Sequence, residues 1–256
     1  MRPTLPPAFL TTPLAHRAYH DRTLGRIENS AAAIHAAIAA GYGIEIDVQL
    51  SSDGQAMVFH DEVLDRLTGK AGPISARSAA DLGGIRLSGS TDTIPDLPQV
   101  LSLIAGRVPL LIEVKDQTLT MSPTDGRLET ATAAALADYA GPVAVMSFNP
   151  HAVAAMARLA PHIPRGLTTS AYDPADWAPL SAATCDDLRA IPDYDRTGAC
   201  FISHEAADLH RPRVADLKRG GAKILCWTIR SALAEAEARK TAHNITFETY
   251  PAELLF

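Results

Sequence analysis

Short apolar runs rich in β-branched residues alternate with alanine-rich stretches of helical spacing along the chain. The apolar runs lie at 14–18 ("LAHRA"), 43–51 ("GIEIDVQLS"), 109–115 ("PLLIEVK"), 142–148, 164–170, 199–204, 222–229 and 244–249, and each reads as a strand. Helices are predicted between them at 29–40, 96–106, 125–140, 150–160, 181–190, 210–220 and 230–241, with a short last helix from Pro251. Asn29 or Ser30 supplies the first helix with a cap and Gly41 ends it. Pro98 and Pro150 stand in first turns, where proline is tolerated. Eight strands alternating with helices in 256 residues predict an α/β protein, a (β/α)8 TIM barrel of parallel strands. An open doubly wound sheet would carry a glycine-rich phosphate loop after an early strand. Gly69 and Gly72 follow no such strand.

One stretch breaks the rhythm. Residues 1–256 read as a single barrel domain, but the second strand and second helix are separated by a long excursion whose insertion spans 62–96. Excursions of this length in compact domains are usually functional, and insertions after a barrel strand sit on the catalytic face. The excursion opens with "SSDGQ", a hairpin signal at Asp53-Gly54. With those two residues as the turn centre, Ser52 pairs with Gln55 and Asp47 lies opposite His60. Glu45 shares the face of Asp47, two residues away. The expectation is a cluster of Glu45, Asp47 and His60.

The chemistry of that cluster follows from charge. Two neighbouring carboxylates repel, and one is driven towards protonation unless a cation joins them. The third strand adds Glu113 and Lys115 on the same rim, and the first adds His16 and Arg17. Three carboxylates suit Mg2+ or Ca2+. Arg and Lys beside a metal suit a phosphate. Two histidines suit one acid and one base. Together they point to metal-assisted cleavage of a phosphate ester.

The formal net charge of −6 argues against a general nucleic-acid binder, so the expected partner is a small molecule. No apolar run is long enough for a signal peptide or a transmembrane helix. Cys185, Cys200 and Cys226 form no CxxC pair and read as core residues. This usage suits a reducing, cytoplasmic setting. A homo-oligomer is compatible with the sequence. His35 reads as a surface residue, and His204-Glu205 could reach the rim.

The segments "HRA", "ENS", "GIEIDVQLSSDGQAMVFHD", "IEVK", "MSFN" and "CWTI", in this order over nearly the whole chain, resemble the glycerophosphodiester phosphodiesterases. The resemblance implies a TIM barrel with a small insertion after its second strand, and metal-dependent hydrolysis of glycerophosphodiesters to glycerol 3-phosphate and an alcohol. It implies Glu45, Asp47 and Glu113 as metal ligands, and His16 and His60 as the acid/base pair. Arg17 and Lys115 then contact phosphate, Glu28 and Asn29 stand at the mouth, Asp61 orients His60, and Trp227 lines the substrate groove. The sequence departs from the family pattern at Ala18, where a glycine is usual and the expected effect of a methyl group is to narrow the mouth or to shift the following loop. It departs again at Thr249, where an aspartate is usual, and in the long charged loop "HRAYHDRTLGRIE". Alternatives are a relative acting on lysophospholipids or another phosphodiester, favoured by exposed apolar residues on the insertion, and a non-catalytic phosphate-binding barrel. A metal-dependent amidohydrolase would want an HxH pair, which is missing.

Overall fold

The computed structural model describes residues 2–254. In chain order the elements are α1 (Ala8–Thr11), β1 (Leu14–Ala15), α2 (Ala31–Ala40), β2 (Gly43–Leu50), β3 (Ala56–Val58), α3 (Ala79–Gly83), α4 (Leu97–Ile104) and β4 (Leu110–Val114). They continue with α5 (Arg127–Leu136), β5 (Val143–Ser147), α6 (Pro150–Leu159), β6 (Arg165–Thr169), α7 (Ala182–Ala190) and β7 (Phe201–Glu205). The last four are α8 (Pro212–Arg219), β8 (Lys223–Ile229), α9 (Ala232–Ala238) and β9 (Asn244–Phe247). Parallel pairing runs β1-β2-β4-β5-β6-β7-β8-β9 and back to β1, which closes the barrel, while β3 hangs antiparallel on β2.

Strand alternation sorts the side chains into two cores. Ile44, Ile46 and Val48 of β2 pack outward with Ala33, Ile34 and Ala37 of α2. Inside the barrel floor, Leu14, Leu111, Met146, Phe201 and Leu225 pack with Leu5 and Phe9. The unpredicted α1 thus plugs the amino end of the barrel with a fully buried Phe9. Asn244 at the start of β9 secures it, its amide donating to the carbonyls of Phe9 (2.9 Å) and Thr12 (2.6 Å). Gly43 is obligatory in this packing, because a Cβ there would lie 2.6 Å from Leu14 Cδ2.

The helices form where capping and periodicity agree. Ser30 Oγ accepts from Ala33 N–H, and Gly41 ends α2 at φ +77°. Asp96 and Gln99 make a reciprocal capping box for α4, whose Leu97, Val100, Leu101 and Ile104 form one buried stripe. The predicted helix at Pro251 does not form over residues 251–254; the extended tail instead offers the Ala252 carbonyl to Tyr42 Oη at 2.7 Å. All three cysteines are buried and free. No helix of the described residues is long and apolar enough to cross a membrane.

The excursion has its own small core. Phe59, Leu64, Leu67, Ile74, Leu82 and Ile94 bury one another under the loops, and only Val63 of this stretch is a well-exposed large apolar side chain.

Candidate active site

The site lies at the carboxyl end of the barrel strands. Glu45 and Asp47 point inward from β2, and Asp47 stands level with Glu113 of β4. One oxygen of each of these three carboxylates lies within 4.8 Å of the others, and all three side chains are buried. Burial pushes the Glu45 carboxyl well above its usual range, and the charges of Asp47 and Glu113 push it further. Burial raises Asp47 as well, but His60, Lys115, Arg17 and a hydrogen bond from Asn29 outweigh it and hold Asp47 low. The three buried carboxylates therefore repel one another most strongly at Glu45, and a cation among them would relieve that repulsion. Oxygen donors alone, buried and mutually repelling, fit a hard divalent cation.

Basic groups ring the acids. Lys115 Nζ lies 2.9 Å from Glu113 Oε1 and 3.6 Å from Asp47 Oδ1. Arg17 Nη1 donates to Glu28 Oε1 at 2.9 Å, its backbone N–H donates to Glu45 Oε2 at 2.9 Å, and its Nε stands 3.7 Å from Asp47. That buried Nε has no acceptor within hydrogen-bond distance. The Asn29 amide donates to Asp47 Oδ2 at 3.0 Å. Arg17 and Ala18 adopt left-handed backbone, φ +51° and +65°, which ends β1 at Ala15, short of the predicted 14–18, and Asn29 is left-handed too at φ +60°.

Each histidine has a carboxylate behind it. His60 Nδ1 lies 2.7 Å from Asp61 Oδ1, and His16 Nδ1 lies 2.6 Å from Glu248 Oε2. The ionised carboxylates only accept, so each Nδ1 carries the proton and each Nε2 is free to act. Burial depresses His16, with the hydrogen bond to Glu248 opposing it. Arg66 fastens the network from the excursion, forking onto Asp61 (2.7 and 2.8 Å) and Glu28 (2.7 and 2.8 Å).

The hairpin register differs from the expected one. Val48 pairs with Val58 and Leu50 with Ala56, so Phe59, not His60, stands opposite Asp47. Ser51 N–H donates to the Gln55 carbonyl and Gly54 takes φ +82°, which makes a three-residue turn in place of the two-residue one. His60 still faces Asp47 because the chain leaves the ladder after Phe59. Gln49, two residues beyond Asp47 on the same face, holds the new path by donating from Nε2 to the His60 carbonyl at 3.1 Å.

Other expectations resolve as follows. Ala18 adopts φ +65°, the conformation that suits glycine, and its methyl is buried in the core and does not narrow the mouth. His204 points away from the rim; it is fully buried between Thr169 Oγ1 (2.8 Å) and Asp208. Glu205 does reach the rim and accepts from Ala171 N–H at 3.0 Å. His35 is exposed. Trp227 is half-buried, donates to the Ser203 carbonyl at 3.0 Å, and meets Phe148 edge-on at 5.5 Å between centroids. Glu248, Gln49 and Arg66 were not foreseen. Strand alternation carries the signal for Gln49 and Glu248, which continue the inward faces of β2 and β9; nothing local marks Arg66.

Beside Glu113 and Lys115 opens a cavity of about 280 Å3, walled by Met121, Phe148, Trp177 and Leu180. A larger open groove of about 730 Å3 lies near Arg127 and Leu159, away from both histidines.

YqiK of Bacillus subtilis (strain 168) is 34% identical over 152 residues, 56% of this chain and 61% of that protein. A glycerophosphodiester phosphodiesterase of Caldanaerobacter subterraneus subsp. tengcongensis is 31% identical over 148 residues, 55% of this chain and 60% of that one. These matches thus span about three fifths of the length of each relative. Among solved structures, a phosphodiesterase of Oleispira antarctica in complex with its product sn-glycerol-3-phosphate superposes with a TM-score of 0.73 at 26% identity, covering 95% of both chains. The sequence profile of the glycerophosphoryl diester phosphodiesterase family matches residues 16–245, and the chain belongs to that family.

Proposed function

We propose that the protein hydrolyses glycerophosphodiesters to glycerol 3-phosphate and an alcohol. The observation that carries this reading is the pair of carboxylate-backed histidines, His16 with Glu248 and His60 with Asp61, flanking three buried carboxylates. The Oleispira relative binds the corresponding product.

Glu45, Asp47 and Glu113 would hold Mg2+ or Ca2+. When bound, such an ion neutralises phosphoryl charge and polarises the phosphorus. The protein's own groups do the rest. Arg17 presents a buried Nε with no acceptor and takes a phosphoryl oxygen. Lys115 adds a second positive charge on the Glu113 side. One histidine removes the proton of the attacking hydroxyl, from water or from the neighbouring glycerol hydroxyl, as the new P–O bond forms. The other gives a proton to the leaving alkoxide as its P–O bond breaks, so the pair ends one proton exchanged and is reset by solvent. Asn29 and Glu28 keep Asp47 and Arg17 in place. The apolar side chains of the excursion are turned into its own core, which favours soluble diesters over lysophospholipids.

Release of glycerol 3-phosphate from glycerophosphocholine, glycerophosphoethanolamine and glycerophosphoglycerol tests this directly. Excess EDTA is expected to abolish release and Mg2+ or Ca2+ to restore it. Undiminished release under chelator removes the metal from the scheme. His60→Ala is expected to lose turnover by about 10²–10⁴-fold while keeping the wild-type circular dichroism spectrum; near-native turnover would strip His60 of its role.

A further inference from the structure

A second group of ligating side chains lies next to the first. His16, His20 and Glu248 each present one donor atom within 4.8 Å of the other two. The long loop after β1 builds it. Arg17 and Ala18 in left-handed backbone fold the chain back, and His20 N–H closes the turn on the Ala18 carbonyl at 2.9 Å. His20 therefore faces the same Glu248 oxygen as His16, at 3.5 Å from Nε2. Its Nε2 is buried and has no hydrogen-bond partner among the described residues. Buried polar atoms are normally satisfied, and one left open points to a ligand. Arg230 holds the other Glu248 oxygen at 2.7 Å, which fixes the carboxylate and leaves Oε2 to the histidines.

We propose that His16, His20 and Glu248 form a separate binding site for a borderline transition-metal cation of the Zn2+ type. Two imidazoles and a carboxylate with an open fourth position are a donor set for Zn2+, whereas the three carboxylates of the neighbouring cluster suit Mg2+ or Ca2+. The two sites thus separate by ligand softness, and both can fill at once. Donor atoms now 2.6 and 3.5 Å apart need only small side-chain rotations to take bonds of about 2.0–2.2 Å to one ion. To ligate, His16 must lose its Nδ1 proton, to solvent or to Nε2, and give up its hydrogen bond to Glu248; filling the site thus takes both Nδ1 and the carboxylate that orients it, so Zn2+ is an inhibitor. That consequence rests on the proposed role of His16; the binding does not.

The test is a ZnCl2 titration of the chelator-stripped full chain in millimolar MgCl2, read by calorimetry. One equivalent is expected to bind to wild type and to the carboxylate-site variant Asp47→Asn. His20→Ala is expected to weaken it by at least about tenfold, the smallest effect that losing even a residue hydrogen-bonded to a ligand has at metal sites. CoCl2 in place of zinc should give the visible d–d absorption of a nitrogen-ligated ion in wild type, which keeps the test independent of any variant's folding. Turnover with and without zinc is then compared within each protein: wild type should be inhibited and His20→Ala resistant. No zinc binding in Mg2+, binding lost in Asp47→Asn but unaltered in His20→Ala, or no cobalt spectrum would each overturn the site. Zinc bound as described without inhibition would leave the site standing and count against His16 as acid or base.

Discussion

At the residue scale, the barrel mouth uses one device twice. An imidazole Nδ1 is tied to a carboxylate, which leaves Nε2 without the proton, with Asp61 adjacent in sequence to His60 and Glu248 more than two hundred residues from His16. The first pair is legible as the dipeptide "HD"; the second joins the two ends of the chain and exists only because β9 closes on β1. Glu248→Gln keeps the shape and removes the charge that stabilises a protonated His16. It is expected to lower kcat by about 10²-fold with little change in KM, measured by steady-state release of glycerol 3-phosphate. A neighbouring position makes a stability prediction of the opposite kind. Thr249 is exposed and sits at φ +69°, a conformation that disfavours a β-branched residue by about 1–2 kcal/mol. Thr249→Gly removes that strain and no packing, offset in part by the greater freedom of an unfolded glycine. The net gain is expected to raise the thermal midpoint by about 2–4 °C, and scanning calorimetry checks it.

At the element scale, the hairpin shows where the sequence signal runs out. Asp53-Gly54 marks the turn correctly, and the alternation of β2 places Glu45 and Asp47 together. The loop length is decided by contacts that no short motif displays. Ser51 Oγ accepts from Gln55 N–H at 2.8 Å, and Asp53 Oδ1 reaches Ala79 N–H, at the start of α3, at 2.9 Å. Those bonds shift the register by one residue, and Gln49 then directs His60 back to the site. The excursion is held to the barrel by Arg66, bridging Asp61 to Glu28. Burial pushes both carboxyls up, yet hydrogen bonds (from His60 and Arg66 to Asp61, from Arg66 and Arg17 to Glu28) outweigh it and leave both below the usual range. Groups with depressed folded pKa values contribute stability that is present above the unfolded value of about 4 and lost as pH falls through the folded one. Arg66→Ala removes much of that contribution. The difference in thermal midpoint between wild type and Arg66→Ala is therefore expected to be full at neutral pH and to shrink only below about pH 4. A difference that stays constant down to pH 2 would mean that Arg66 acts through packing and not through these two carboxylates.

At the scale of the whole molecule, the eight barrel strands and the seven helices between them were readable from periodicity, because each strand carries its own apolar run and most of the helices a cap or stop. Closure itself, the plug formed by α1 and the walls of the cavity beside Lys115 were not, since they depend on segments far apart in the chain. That cavity is assembled from the loop after β4, which supplies Met121, the end of β5, which supplies Phe148, and the loop after β6, which supplies Trp177 and Leu180. Trp177 packs on Phe148 at 5.0 Å and on the buried Tyr172 at 4.7 Å, so its ring is a fixed wall. The wall stands next to Lys115, on the side of the carboxylate cluster away from His16 and Glu248. In the proposed reaction it meets the alcohol end of the diester and leaves glycerol and phosphate to the charged groups. Trp177→Ala is thus expected to reduce kcat/KM by about tenfold for diesters with a bulky or aromatic alcohol, and to change it little for glycerophosphoglycerol. The loss should fall on KM, since the ring touches neither histidine. Comparing the two substrates on one enzyme preparation isolates the wall from any loss of fold, which would depress both equally.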